Sequence, residues 1–208
     1  MCLGGLMLAA TIGQVQAGVV ISTNAADFNL TSVGFDPVLS SVTTDLVSTD
    51  ASVTLAIAFE GDPATQGHYY SPWTGMLPGN EYALDGDENF DIKFTAHQSA
   101  FAMDYLDTSI ESKFSLTFYD GAINVGETSF ITNSFGTAQF IGFISSLSFD
   151  KVTVREDDGS ENSDEFFQFY SATSAAAVPE PSSIVMFGVG AIGMAFARRK
   201  RKQRTQAA

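Results

Sequence analysis

Apolar and polar residues alternate with a period of two along the middle of the chain, which is the pattern of strands with one buried face. The clearest case is Phe114, Leu116 and Phe118, which alternate with more polar side chains. Asp120-Gly121 follows directly and indicates a hairpin turn. Other strand-like segments lie at 52–59, 140–143 and 152–154, at the spacing of a β-sandwich. The pattern therefore predicts an all-β fold of antiparallel strands.

Composition agrees with one folded domain, which we place at residues 18–170. Of the 208 residues, 45% are hydrophobic and only 16% are charged, so the chain can bury a core. The 18 Phe residues favour strands over helices. Ser171–Ala177 consists of small residues without periodicity and is predicted to be a linker.

The stretch from Gly61 to Gly86 is rich in loop-forming residues and contains Tyr69, Tyr70 and Trp73. Burial of Trp73 at one end of the core is the reading that we favour, because aromatic rings dominate small cores. The alternative is an exposed aromatic platform, on which Tyr69, Tyr70 and Trp73 would stack against sugar rings.

Charge is distributed very unevenly. Six of the ten Lys and Arg residues lie at 198–204, whereas all 24 carboxylates precede them, so residues 1–197 carry a formal charge of −20 (four cations against 24 anions). Such a surface repels nucleic acid and attracts divalent cations or basic partners. We expect no nucleic-acid partner.

Two acidic segments have the chemistry of calcium loops. The first, 85–91, places Asp85, Asp87, Asn89 and Asp91 at alternate positions, and hard cations bind such oxygen ligands. The second, 156–161, contains Asp157 and Asp158 in a predicted turn. Either segment could bind Ca²⁺, although the first departs from the EF-hand pattern; the alternative is that both are solvated turns.

Motifs of catalysis are missing from the sequence. The histidines are His68 and His97, Cys2 is the single cysteine, and neither a His-Glu-x-x-His nor a Gly-x-Ser-x-Gly motif occurs. We therefore expect the protein not to be an enzyme.

Both ends of the chain have the patterns of targeting segments. Residues 3–12 are an apolar run and Val15-Gln16-Ala17 is a plausible cleavage site, which predicts a signal peptide over 1–17. The alternative for this run is an N-terminal core strand. Near the other end, residues 184–197 carry no charge, and at about 1.5 Å per residue this run reaches about 21 Å, shorter than a bilayer core of about 30 Å.

The residues that flank this apolar run decide its interpretation. Val178, Pro179, Glu180 and Pro181 precede it in a segment that proline keeps from being helical throughout. Five cations follow it at once, and these anchor to anionic lipid headgroups on the cytoplasmic side: Arg198, Arg199, Lys200, Arg201 and Lys202. The expected element is a single short transmembrane helix at 184–197, followed by a cytoplasmic tail at 203–208.

In this order, the Pro-Glu-Pro segment, the short apolar run and the basic cluster resemble the PEP-CTERM sorting domain of exported bacterial proteins. The resemblance covers residues 178–202. It implies recognition by exosortase, a membrane-embedded cysteine protease or transpeptidase that cuts near the Pro-Glu-Pro motif. It also implies transient anchoring in the inner membrane, release to the cell surface or medium, and a host that builds exopolysaccharide and biofilm.

The body is similar in style to the jelly-roll sandwiches often attached to this signal. The similarity lies in 101–105, 116–121, 140–143, 149–152 and 164–167. Together the two resemblances imply a structural or adhesive role in an exopolysaccharide matrix. The alternative is a calcium-dependent glycan-binding module.

Overall fold

The fold was examined in a computed structural model, which describes residues 18–58, 67–84, 88–108, 111–132, 136–157 and 165–175. Apart from a 3-10 turn at Ala25–Asp27, the regular elements of these ranges are strands. In chain order they are β1 (Val19–Ser22), β2 (Phe28–Ser32), β3 (Val38–Val42), β4 (Leu46–Val47), β5 (Val53–Ile57), β6 (His68–Ser71), β7 (Glu81–Leu84), β8 (Phe90–Asp107), β9 (Lys113–Asp120), β10 (Ile123–Ile131), β11 (Gln139–Glu156) and β12 (Glu165–Ser174). All strand pairs are antiparallel, so the predicted all-β class is confirmed.

Two strands of 18 residues each, β8 and β11, build both layers of the structure. They pair with each other along both halves, and the register is irregular between Ile144 and Lys151. The first half of β8 and the second half of β11 lie in one layer, in the order β4-β5-β8-β11-β9-β10. Their other halves lie in the second layer, in the order β1-β11-β8-β12. The far edge of β12 is shared by β2 and by the β7-β6-β3 ribbon.

Phenylalanine rings fill the space between the layers. Phe118 of β9 lies 6.0 Å from Phe143 of β11, measured between ring centroids, and Phe114 lies 5.8 Å from Phe167 of β12. Phe90 lies 5.5 Å from Phe167. These rings are at most 1% exposed, so the two layers form a sandwich with an aromatic core.

The predicted alternation of β9 and its turn are confirmed. Phe114, Leu116 and Phe118 are at most 1% exposed. Gly121 has φ of 58°, a conformation that glycine adopts without strain, and it closes the β9-β10 hairpin.

Two sequence-based assignments need correction. The stretch from Gly61 to Gly86 contains the β6-β7 hairpin, because Tyr69 and Tyr70 have strong strand propensity and lie between the turn-forming prolines and glycines. The domain also continues past residue 170, since β12 pairs with β2 through Ser174 in the stretch predicted to be a linker.

Other expectations concern residues outside the described ranges. These are the signal peptide at 1–17, the sorting segment, the apolar run at 184–197 and the basic stop. Within the described ranges, none of the helices has the length and apolar character needed to cross a bilayer. The jelly-roll arrangement stays a prediction.

Candidate functional site

An aromatic pair lies where β6 leads into the loop that joins it to β7: the half-buried Tyr69 belongs to the strand and the exposed Trp73 to the loop. Trp73 is 63% exposed, and its ring centroid lies 5.7 Å from that of Tyr69. The favoured expectation that Trp73 closes the core is therefore wrong, and its alternative of an exposed ring is correct for this residue. Phe rings fill the core instead, and the chain contains 18 of them. Trp73 lies in the loop after β6, which places its indole away from the core.

Tyr70, the third predicted aromatic residue, points the other way. It is 4% exposed and packs edge-on against Phe35, with ring centroids 5.0 Å apart. Burial also raises the pKa of its hydroxyl. Tyr69 and Tyr70 are neighbours on one strand and face opposite sides of the sheet, so Tyr70 cannot join the pair of Tyr69 and Trp73.

A single buried carboxylate, Glu81, holds the loop that carries Trp73. It is 1% exposed, and its oxygens accept hydrogen bonds from the Thr74 N–H at 2.6 Å and the Thr74 hydroxyl at 2.5 Å. The N–H groups of Met76 and Leu77 also donate to it, each at 3.2 Å. A charged acceptor at the first residue of β7 thus replaces the main-chain bonds that the loop lacks.

A small cleft of about 90 Å³ lies beside the aromatic pair. Its walls combine aromatic rings, small side chains and the two buried carboxylates Glu81 and Glu165. The lining residues are Tyr69, Ser71, Trp73, Glu81, Ala83, Leu84, Glu165 and Phe166. The lining therefore offers both apolar and polar groups to a ligand.

The predicted calcium residues that the structure describes have other partners. Asn89 Oδ1 accepts a hydrogen bond from the Glu156 N–H at 3.0 Å. Asp91 pairs with Arg155 at 2.9 Å, and Asp157 pairs with Lys113 at 2.5 Å. Asp85, Asp87 and Asp158 lie outside the described residues.

A different set of carboxylates is brought together where these acidic segments meet. Glu88, Glu156 and Glu165 are buried, and one ligand oxygen of each lies within 4.8 Å of those of the other two. Burial, followed by the negative charge of Glu165 and interactions with Glu156, raises the pKa of Glu88 to about 12. Sequence reasoning named the segments that contain Glu88 and Glu156 but not these residues, and it missed Glu165.

Strand register explains this cluster. The pairing of Phe90 with Val154 places residue 88 opposite residue 156, and the Glu88 N–H donates to Glu156 Oε2 at 3.3 Å. Glu165 begins β12 in the other layer and accepts a hydrogen bond from the Ser112 hydroxyl at 2.5 Å. One sequence signal could have revealed the proximity of Glu88 and Glu156: the two acidic segments flank strands that can pair in an antiparallel way.

A second acidic group lies at the surface. His97 Nε2 lies 2.9 Å from Asp120 Oδ1, and Asp150 Oδ1 accepts a hydrogen bond from the Gly121 N–H at 3.0 Å. Asp120 and Asp150 hold the β9-β10 turn region next to β8. These contacts give His97, Asp120 and Asp150 a structural role in holding the turn.

Comparison with known proteins identifies the end of the chain rather than its body. Residues 177–202 match the family described as the PEP-CTERM protein-sorting motif. No curated protein matches. The segment predicted from the Pro-Glu-Pro motif and the basic stop agrees with this match to within one residue at its start.

Two solved structures show distant similarity to the chain. TmCBM61, solved in complex with β-1,4-galactotriose, is 13% identical with a TM-score of 0.31, and the alignment covers 59% of this chain and 88% of that one. The enzymatically active domain of tailspike protein 4 from bacteriophage CBA120 is 11% identical with a TM-score of 0.27, over 72% of this chain. This chain spans 19% of the length of the tailspike chain. What the comparisons establish is that residues 177–202 are a PEP-CTERM protein-sorting motif, consistent with an exosortase substrate.

Proposed function

We propose that this protein is an exported, non-enzymatic β-sandwich that exosortase processes and that takes a structural or adhesive role in an exopolysaccharide matrix. The observation that carries the proposal is the sorting motif at 177–202. The apolar run at 184–197 is a transient membrane anchor in this proposal, since five cations stop it and a protease site precedes it. After cleavage the sandwich remains at the cell surface or in the medium.

The sorting step is tested by mass spectrometry of the mature C-terminus in producing cells. We expect the chain to end near Pro181 in cells with exosortase and at Ala208 in cells that lack it. The double variant Pro179→Ala, Pro181→Ala should stay uncut, while Ser183→Ala, two positions beyond the motif, should be processed normally. Wild-type chains that still end at Ala208 would refute the proposal.

A second function, saccharide binding by the sandwich, is favoured by the exposed Trp73 and the half-buried Tyr69 beside a cleft that contains polar groups. Each ring can stack on the apolar face of a sugar while the cleft offers hydrogen-bond acceptors. Tyr70 is not part of this site. Binding through these rings would provide the contact between the protein and the matrix.

Trp73 makes this second function directly measurable, because it is the single tryptophan of the chain. We expect exopolysaccharide from the producing cells to shift its fluorescence to shorter wavelength as the indole loses water. Trp73→Ala should abolish retention on immobilised polysaccharide, whereas Met76→Ala, which removes a 57% exposed apolar side chain from the same loop, should not. Equal retention of both variants would exclude this surface as the glycan site.

A further inference from the structure

Three glutamates from distant parts of the chain meet at one end of the sandwich. Glu88 lies just before β8, Glu156 ends β11 and Glu165 begins β12. Their exposed fractions are 1%, 9% and 0%, so water does not solvate their charges. One carboxylate oxygen of each lies within 4.8 Å of one from each of the others. Three acids this close in a buried place repel one another when ionised.

Each of the two acids of the first layer keeps one oxygen without a hydrogen bond, although Glu156 Oε2 accepts the Glu88 N–H. Glu88 Oε2 and Glu156 Oε1 are buried and accept no hydrogen bond. Within the part of the chain that the structure describes, neither Glu88 nor Glu156 forms an ion pair with Lys or Arg. Arg155, the nearest cation in sequence, is directed to Asp91. A buried carboxylate oxygen without a donor or a counter-charge is unfavourable, and a cation between these acids would supply what it lacks.

We propose that Glu88, Glu156 and Glu165 bind a calcium ion. Ca²⁺ prefers carboxylate oxygens at about 2.3–2.6 Å, so two ligands on opposite sides of the ion are about 5 Å apart. The oxygens of the cluster are separated by less than this, and they therefore fit around one ion. No imidazole or thiolate belongs to the cluster, which favours a hard cation over zinc.

The bound ion would join the two layers of the sandwich. Glu88 and Glu156 belong to the layer of β9 and β10, whereas Glu165 starts the strand at the centre of the other layer. An ion that binds only the folded chain adds its binding free energy to folding. Given export, the protein would reach its full stability only where calcium is available outside the cell.

The test is thermal unfolding of the full-length protein, first in EDTA and then with added calcium. Extracellular calcium modules have Kd values of about 10⁻⁴–10⁻³ M, so CaCl₂ should be varied from about 0.1 to 10 mM. With Ca²⁺ at about ten times its Kd, we expect Tm to rise by about 3–6 °C. Mg²⁺ at the same ionic strength should raise it less, because Mg²⁺ dehydrates reluctantly and demands stricter geometry.

Matched variants separate a specific site from general screening of the acidic surface. Glu88→Gln and Glu156→Gln should each lose the calcium-dependent increase in Tm, while the exposed Glu127→Gln should keep it. Each single substitution also relieves repulsion, so Tm in EDTA should be equal to or higher than that of the wild type. If the acid cluster is merely structural, the variants should have an equal or higher Tm in EDTA, but their response to calcium should not differ from that of the wild type.

Tb³⁺ luminescence gives a readout that does not depend on unfolding. Tb³⁺ excited through the aromatic side chains should luminesce in the wild-type protein and be displaced by Ca²⁺, and Glu88→Gln should lose this signal. If one variant fails to fold, the other variant and the wild-type Tb³⁺ competition decide the question. A wild-type Tm that calcium does not change, or a calcium-dependent increase in Glu88→Gln and Glu156→Gln as large as that of the wild type, would overturn the proposal.

Discussion

The ring of Phe28 lies over Gly142 so closely that a Cβ on residue 142 would be 2.3 Å from Phe28 Cζ and 2.4 Å from Cε2. Phe28 begins β2 and Gly142 lies in the first half of β11. Phe28 is 6% exposed, packs against the alanines Ala100, Ala102 and Ala172, and meets Phe140 edge-on at 5.7 Å. The small residues beneath the ring thus allow an aromatic cover on the outer face of the second layer.

Substitution of Gly142 should therefore destabilise the protein through its close contact with Phe28. We expect Gly142→Ala to lower the free energy of unfolding by about 1–3 kcal/mol, the usual cost of overpacking. The measurement is urea unfolding of both single variants and the double variant. In the Phe28→Ala background Gly142→Ala should cost nothing, because the clashing ring is gone. Gly34→Ala is the control, since its new Cβ would have an ordinary contact of 3.8 Å with Thr49.

Glu81 should control the order of the Trp73 loop through its hydrogen bonds to Thr74, Met76 and Leu77. Glu81→Gln replaces one carboxylate oxygen by an NH₂ group, which cannot accept the loop's N–H hydrogen bonds. We therefore expect the free energy of unfolding to fall by about 1–3 kcal/mol. Acrylamide quenching and anisotropy of Trp73 fluorescence should show a more mobile indole. Glu127→Gln serves as the control on an exposed strand. An unchanged anisotropy in Glu81→Gln would contradict the role assigned to this carboxylate.

Because His68 is buried, we expect the protein to lose stability in mild acid. Its ring is buried, Nε2 donates to the Thr44 carbonyl at 2.7 Å, and Nδ1 accepts from the Tyr82 hydroxyl at 3.2 Å. Burial lowers the pKa of His68 below its usual 6.5, while the Thr44 carbonyl and the charge of Asp45 oppose that shift. The unfolded chain then takes up a proton before the folded one does. The stabilising contribution is therefore complete above pH 6.5 and is lost as the pH falls through the lower folded pKa.

This pH dependence can be assigned to one residue. Imidazole ¹⁵N shifts should show the Nε2-protonated tautomer and a titration midpoint below 6.5. The slope of unfolding free energy against pH between about 5 and 7 should be smaller in His68→Gln than in the wild type. A His68 midpoint above 6.5 would be inconsistent with the buried hydrogen-bond arrangement.

The parts of this fold that follow from local sequence were predictable. The alternation of β9 and the Asp120-Gly121 turn depend on neighbours in the chain, and both appear as expected. The bend of β8 and β11 between layers depends on pairing between residues about 40 to 60 apart, and no local pattern encodes it. For the same reason the described residues chosen from spacing as calcium ligands, Asn89, Asp91 and Asp157, are not the ones that converge. Glu165 joins the cluster only because β12 pairs with β8.

Phe90 provides the last prediction, because it connects the two layers at the point where the acid cluster begins. It is fully buried, and its ring lies 5.1 Å from Tyr82, 5.5 Å from Phe167 and 5.9 Å from Phe169. We expect Phe90→Ala to lower the free energy of unfolding by about 3–5 kcal/mol, and Phe90→Leu by less, since leucine fills more of the space. Urea unfolding measures both. Ile123→Ala, which truncates a 68% exposed side chain, should change stability by no more than about 0.5 kcal/mol. A similar small loss in Phe90→Ala would mean that the layers are held together elsewhere, since these ring contacts would then contribute little to their association.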